Sequence, residues 1–258
     1  MIDLHTHILP QVDDGPSDWE DALALIRQGI QDGIRGAVCT SHVLNKLDDN
    51  LEGKLTYRFD QLKEMIAKHN LKFSLWLGSE LHILSDFDPM SQVATINGNK
   101  KYLMIEFPMN EIPGDSDDKL FKLTLDGFIP IIVHPERNAK ILYRPQKLFE
   151  FVNRGILLQM NAGSINGVFG RPTRKLAIEM LNRNLVHFIA SDCHQVRERP
   201  MLLSEAYHTV QKRWGRQTAV SLFEKNPMAA IQGDAIVSPE AVSFDQKKRK
   251  SLFGFKKG

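Results

Sequence analysis

The chain opens Met1-Ile2-Asp3-Leu4-His5-Thr6-His7, a short apolar run that ends in His-x-His. Read as a buried strand, it places residues two apart on the same side, so His5 and His7 converge on one point at the strand's carboxyl end. Two imidazoles aimed at one point can share a metal ion, whereas an isolated pair could equally be solvated. Whether other strands end the same way decides between the two readings.

They do. The run Gly36-Ala37-Val38-Cys39-Thr40-Ser41-His42 is apolar and β-branched until it reaches a histidine. Residues 73–77 lead to Glu80, 102–105 to Glu106, 128–133 to His134, 156–160 to Asn161, and 187–190 to Asp192 and His194. Helical patterns fall between these runs. Ser17 and Glu20 have capping-box spacing ahead of an apolar stripe of Trp19, Leu23, Ile26 and Ile30, with Gly33 as its stop. Further helices are expected over 55–69, 117–126, 145–153, 172–182 and 201–214, and over 218–226 with Pro227 as terminator.

Strand–helix alternation along the whole chain implies parallel strands joined by helical crossovers, covered on both faces. A doubly wound sheet would spread seven polar strand ends across its width, while a barrel gathers them at one mouth. The expected fold is therefore α/β, a seven-stranded (β/α)7 TIM-like barrel with a metal site at the carboxyl-terminal mouth. The chain of 258 residues, 42% hydrophobic and 25% charged, suits one barrel domain over 1–240 followed by a flexible basic tail over 241–258.

No run approaches the roughly 20 apolar residues of a membrane span. The start is not a secretory signal, and Cys39 and Cys193 are too few for a disulfide framework, so a cytoplasmic protein is expected. The net charge of +2 is unevenly spread: Lys247, Lys248, Arg249, Lys250, Lys256 and Lys257 crowd into 246–258, which has no acid, and the remaining chain is net acidic. Such a tail is either a solvated terminus or a peripheral tether to an anionic membrane face or acidic partner, with Leu252, Phe253 and Phe255 adding apolar contact.

The strand ends supply His5, His7, His42, Glu80, Glu106, His134, Asp192 and His194, and the first loop adds Asp14. Nine nitrogen and oxygen ligands exceed one ion's needs but suit two or three first-row divalent ions, with a carboxylate such as Glu80 bridging. Three such ions, set against Asp14, Glu80, Glu106, Asp192 and a bridging hydroxide, leave a charge of about +1, which attracts an anion such as phosphate. Arg137, Arg197 and Arg199 lie close in sequence to these ligands, and guanidinium forks match phosphate oxygens. Phosphate-ester hydrolysis by a metal-bound hydroxide is the leading reaction. His69, His82, His187 and His208 are read as structural or solvated.

Together with Val12-Asp13-Asp14-Gly15, Thr40-Ser41-His42, Gly78-Ser79-Glu80, Ile105-Glu106-Phe107-Pro108, His134-Pro135-Glu136-Arg137 and Ser191-Asp192-x-His194, the opening His-x-His resembles the polymerase-and-histidinol-phosphatase superfamily. Within it the pattern is most similar to the bacterial manganese-dependent protein tyrosine phosphatases of capsule and exopolysaccharide clusters. The resemblance runs from residue 1 to about Gly233 and covers all nine ligand positions. It implies a distorted seven-stranded barrel and a three-ion centre, with manganese ahead of iron, cobalt or zinc. It also implies activity on phosphotyrosine of a bacterial tyrosine autokinase that controls polysaccharide export. Carried over, His5, His7, Glu80 and Asp192 would hold one ion, Glu80, Glu106 and His134 a second, and Asp14, His42 and His194 a third.

Other readings are weaker. Cys193 and Arg199 have the Cys-x5-Arg spacing of cysteine-dependent phosphatases, but the intervening residues lack glycine and include Glu198, which repels phosphate. Cys193 also alternates with Asp192 and His194 and so points away from the metals. A histidinol-phosphate or other small-phosphoester phosphatase shares the fold and metals. An exonuclease would ordinarily accompany a polymerase module, so no nucleic-acid partner is expected, and a non-catalytic scaffold using the basic tail predicts lost ligands. If the tail is a tether, deleting 246–258 lowers binding to anionic vesicles in a salt-dependent way and leaves small-substrate turnover unchanged. Unchanged vesicle binding after deletion removes the tether reading.

Overall fold

The apolar runs become seven parallel strands hydrogen-bonded in chain order: β1 Ile2–Thr6, β2 Gly36–Val43, β3 Ser74–His82, β4 Tyr102–Glu106, β5 Ile129–Val133, β6 Leu157–Asn161 and β7 Phe188–Ala190. The computed structural model describes residues 1–245, so the basic cluster at 246–258 lies outside the described residues. The sheet closes at its carboxyl end, where Thr6 bridges Cys193, His7 N donates to Cys193 O at 2.9 Å and Asp192 N donates to His5 O at 3.0 Å. The result is the expected TIM-like barrel.

Strand alternation divides the core in two. Leu4, Val38, Tyr102, Met104, Ile131, Val133 and Phe188 fill the barrel. Ala37, Cys39, Leu103, Ile105, Ile132 and Ile189, at the intervening positions, face the helices. The amino-terminal end is plugged by α10 Asn226–Gln232, whose Ala230 and Ile231 join the inner cluster.

Simple alternation fails where the site needs it to. Leu4 faces inward, so a regular β1 would turn His5 outward. Asp3 pairs with Ala37 but Thr6 with Cys39, three residues of β1 against two of β2, and this bulge reverses the parity so that His5 and His7 face the barrel interior. His134 follows inward-facing Val133 with φ of 32°, and Asp192 has φ of 55°. Left-handed backbone is costly for residues other than glycine and persists where the surroundings enforce it.

The helices are α1 Trp19–Gln31, α2 Asp49–Lys68, α3 Ser116–Leu125, α4 Ala139–Tyr143, α5 Gln146–Asn153, α6 Ala162–Asn166, α7 Arg171–Asn182, α8 Ser204–Trp214, α9 Arg216–Val220 and α10. Three expectations need correction. Asp18, not Ser17, caps α1 by accepting from Asp21 N, while the Ser17 hydroxyl donates to the Asp21 carboxylate. Glu80 lies within β3 rather than beyond its end. Pro227 does not end the last helix: Ser221–Lys225 forms a π-helical turn, and Pro227 sits in the first turn of α10, where no intrahelical donor is required.

Residues 241–245, the first part of the expected tail, lie against the barrel, with Val242 N donating to Arg183 O and the Arg183 guanidinium 4.6 Å from the Phe244 ring. Among the described residues no helix is long and apolar enough to cross a membrane.

Glycine positions test the packing. A Cβ on Gly36, at the start of β2, would meet Ser74 O and the Trp76 ring at 2.7 Å, whereas one on Gly53, in exposed α2, meets nothing within 4 Å. Gly36→Ala is expected to destabilise by about 1–3 kcal/mol, and Gly53→Ala to stabilise by about 0.5–1 kcal/mol. Urea denaturation reads both.

Candidate metal centre

Glu80 is the hub. It is fully buried, and four imidazoles from three other strands surround it. Its Oε2 lies 3.3 Å from His5 Nε2, 3.2 Å from His7 Nε2 and 2.9 Å from His42 Nδ1; its Oε1 lies 3.0 Å from His134 Nε2. Two ligands each about 2.1 Å from one ion are about 3.0–3.4 Å apart, so these spacings suit shared cations.

The other ligand candidates extend the cluster in two directions. Glu106 lies 3.7 Å from both His42 Nδ1 and His134 Nε2. Asp14 Oδ1 is 3.1 Å from His194 Nε2 and 3.5 Å from His42 Nε2, and its side chain, 61% exposed, marks the open side of the mouth. Asp192 Oδ1 is 3.6 Å from both His5 and His7. All nine sequence-derived candidates thus meet at one end of the barrel. Among the described residues three groups have ligand atoms within 4.8 Å of one another: His7, Asp14, His42 and His194; His5, His7 and Glu80; His42, Glu80 and Glu106.

The donor chemistry fits divalent ions. His7 Nδ1 is 2.9 Å from Asp13 Oδ2, a carboxylate that only accepts, so the ring carries a proton there and turns the Nε2 lone pair inward, 3.1 Å from His5 Nε2. Glu80 Oε2 and His42 Nδ1 are buried and close, yet neither has a hydrogen-bond partner. Nitrogen and oxygen atoms that converge without shared hydrogens are arranged for a cation.

The charges of the polypeptide are strongly coupled. Burial opposes ionisation of Glu80, but the imidazoles hold its carboxyl well below the usual range. Burial likewise disfavours a charged His7, but as long as no cation takes Nε2 the carboxylates of Asp13 and Glu80 raise its pKa to about 10. Burial and then the charge of Glu80 push Glu106 up. Burial, followed by the charge of His7, pulls His194 down to about 3.

The three arginines divide. Arg137 Nη1 donates to Asp192 Oδ2 at 3.0 Å, and its guanidinium lies 4.3 Å from the Phe169 ring. Arg199 reaches Asp192 Oδ2 at 2.5 Å and His194 Nε2 at 2.9 Å. Arg197 makes no hydrogen bond or ion pair with the cluster among the described residues, although a depression beside it is also lined by His194. Gln195 and Arg199 pair in an antiparallel bridge, which leaves Arg197 exposed at the tip of the turn beside that depression, which Ser17 and Asp21 also line.

Sequence reasoning missed the supports. Asp13 orients His7 and also accepts from His42 N at 3.0 Å. Asp3, whose pKa burial raises to about 6, accepts from Ser191 N at 3.0 Å and so ties the β1 bulge to the turn bearing Asp192. Glu136 is buried and accepts from Asn161 N at 2.9 Å and Ser164 Oγ at 2.6 Å. Gln159 and Asn161, polar at alternate positions of an otherwise apolar strand, were the readable signal for an inward polar face on β6.

The remaining candidates are structural. Cys193 is fully buried in the outer core, where burial pushes its thiol well up, so it is not available as a nucleophile. His187 is buried, accepts from Leu158 N at 3.1 Å and is pulled down to about 4 by burial. His82 ends β3, and burial lowers its pKa.

Comparison with known proteins agrees with this geometry. The chain is 33% identical to the tyrosine-protein phosphatase YwqE of Bacillus subtilis, over 99% of this chain and all of the relative. It is 32% identical to the tyrosine-protein phosphatase CpsB of Streptococcus agalactiae, over 92% of this chain and all of that protein. Among solved structures it matches one from a study of YwqE from Bacillus subtilis and CpsB from Streptococcus pneumoniae, described as unique metal-dependent tyrosine phosphatases. That match has a TM-score of 0.85 at 31% identity and covers 94% of this chain and all of the other. A dihydropyrimidinase from Brevibacillus agri, TM-score 0.53 at 9% identity, shares the fold alone. The family model for capsular polysaccharide synthesis, CpsB/CapC, matches residues 1–232, and the chain belongs to that family.

Proposed function

We propose that this chain is a metal-dependent protein tyrosine phosphatase acting on the phosphotyrosines of a tyrosine autokinase that governs capsule or exopolysaccharide synthesis. The observation that carries the reading is the cluster around Glu80, four imidazoles on one buried carboxylate with further carboxylates beside them. The names of the relatives support the substrate class.

The side-chain spacings support three ions, with manganese the expected metal. His5, His7, Glu80 and Asp192 would hold one, Glu80, Glu106 and His134 a second, and Asp14, His42 and His194 a third. When bound, the ions supply Lewis acidity to the phosphoryl oxygens and lower the pKa of water. The protein's own contribution is positioning. Asp192 and the Phe169 ring hold Arg137 at the mouth, and Asp192 also holds Arg199, so both guanidinium groups keep further donors for phosphate oxygens, with His194 Nε2 left to the ion. A tyrosyl leaving group, with a pKa of about 10, needs little protonation, so a general acid is dispensable.

A cavity of about 680 Å³ opens beside Asp14, His42 and Glu106 and is walled by Val12, Leu44 and Leu51. It has room for an aryl ring and flanking peptide, and Lys46 at its edge suits acidic neighbours.

Two results follow. Removing metal from the enzyme abolishes hydrolysis of an aryl phosphate and restoring manganese recovers it, while Cys193→Ala retains turnover. Activity that survives complete metal removal, or that is lost in the cysteine variant with metals bound, contradicts the reading. Arg137→Ala lowers kcat by about a hundredfold, and Arg137→Lys restores little of it because ammonium lacks the fork; turnover of a phosphotyrosine peptide and of histidinol phosphate reports both the loss and the substrate preference.

A further inference from the structure

Among the described strands β6 alone contributes no ligand candidate, yet two of its side chains touch the site. Gln159 Oε1 lies 3.0 Å from His5 Nδ1, Gln159 Nε2 donates to Asn161 Oδ1 at 2.9 Å, and Asn161 Nδ2 donates to Asp192 Oδ2 at 2.7 Å. All four residues are buried. Resting on the metal-site reading above, we infer that Gln159 and Asn161 form a directional amide relay through which Asp192 fixes the tautomer of His5, making both amides positioning residues for one metal ion.

The direction follows from donor and acceptor counting. An ionised Asp192 only accepts, so Asn161 turns its amide NH2 toward it and its oxygen toward Gln159. Gln159 therefore presents its own NH2 to Asn161 and its oxygen to His5. The His5 ring then carries its proton on Nδ1, and the Nε2 lone pair faces Glu80 and His7. A charge at one ligand thus sets the proton position of another across two neutral amides. The relay is also anchored, because Asn161 N donates to the buried carboxylate of Glu136 at 2.9 Å. Neutral amides suit this position because they orient both ligands without adding charge to a centre already crowded with carboxylates.

An alternative is that Gln159 merely accepts from His5, as a carboxylate would. Gln159→Glu separates the two. It keeps an acceptor for His5 but cannot donate to Asn161, whose amide then turns its NH2 toward Glu and its oxygen toward Asp192. The relay predicts weaker metal binding, because Asp192 then faces an amide oxygen in place of its orienting donor; a simple acceptor predicts binding as tight as wild type or tighter.

The test is titration of metal-stripped protein with manganese, read by calorimetry and by metal content after dialysis. Gln159→Glu, Gln159→Leu and Asn161→Leu are each expected to weaken one binding step by about 10- to 100-fold and leave the others intact. Because the residues act as a unit, the double leucine variant loses no more than either single one. Thermal melts report whether the leucine variants are folded, and the isosteric Gln159→Glu decides the matter if they are not. Wild-type affinity in Gln159→Glu, or losses in the leucine pair that add in full, overturns the relay. If wild-type protein itself binds no manganese, the metal-site reading fails instead.

Discussion

Everything at the barrel mouth depends on keeping one carboxylate, Glu80, charged while it is buried away from bulk solvent. A buried carboxylate without compensation is prohibitively costly, so its surroundings must supply positive charge or lose it to a proton. The chain surrounds it with His5, His7, His42 and His134, whose nitrogens lie 2.9–3.3 Å from its two oxygens. Imidazole can meet the demand in two ways, by taking up a proton or by ligating a cation that meets it more fully. Metal binding therefore displaces protons, and the site's cation affinity and its acid–base behaviour are one property.

The need to point nine polar groups inward shapes the backbone. A parallel barrel offers inward positions only at every second residue, and these are already taken by the inner core up to Leu4, Val133 and Ala190. The chain gains ligand positions by breaking the alternation, with a bulge in β1 and a left-handed residue at His134, while Asp192 keeps the inward parity of Ala190 on a left-handed backbone. The barrel core, held by ordinary apolar packing and by the α10 plug, supports that local strain.

Much of this was legible in the sequence because the same physical event repeats: an apolar strand is interrupted by an imidazole or carboxylate at its carboxyl end. That pattern marked six of the seven strands, the remaining one ending at Asn161, and eight of the nine members of the cluster, Asp14 coming from the first loop. What it could not reveal was carried by geometry invisible to spacing. His-x-His was read as simple alternation, but Leu4 and His5 both face inward and only the β1 bulge reconciles them. Arg197 and Arg199 are equivalent as neighbours in sequence, and a bridge between Gln195 and Arg199 separates them. Pro227 is a helix breaker by rule, yet a preceding π-helical turn lets the chain pass through it. Gln159 and Asn161 resemble ordinary polar strand residues until their partners are known.

The central claim is that the imidazole and carboxylate groups around Glu80 hold metal ions in common. Anomalous diffraction at the manganese edge, from crystals of the full chain grown with manganese, tests it most directly. Anomalous peaks are expected at the carboxyl-terminal mouth, one of them bounded by His5 Nε2, His7 Nε2 and Glu80, and at least one neighbour that shares Glu80. An absence of peaks at Glu80 with manganese bound elsewhere on the protein would contradict it.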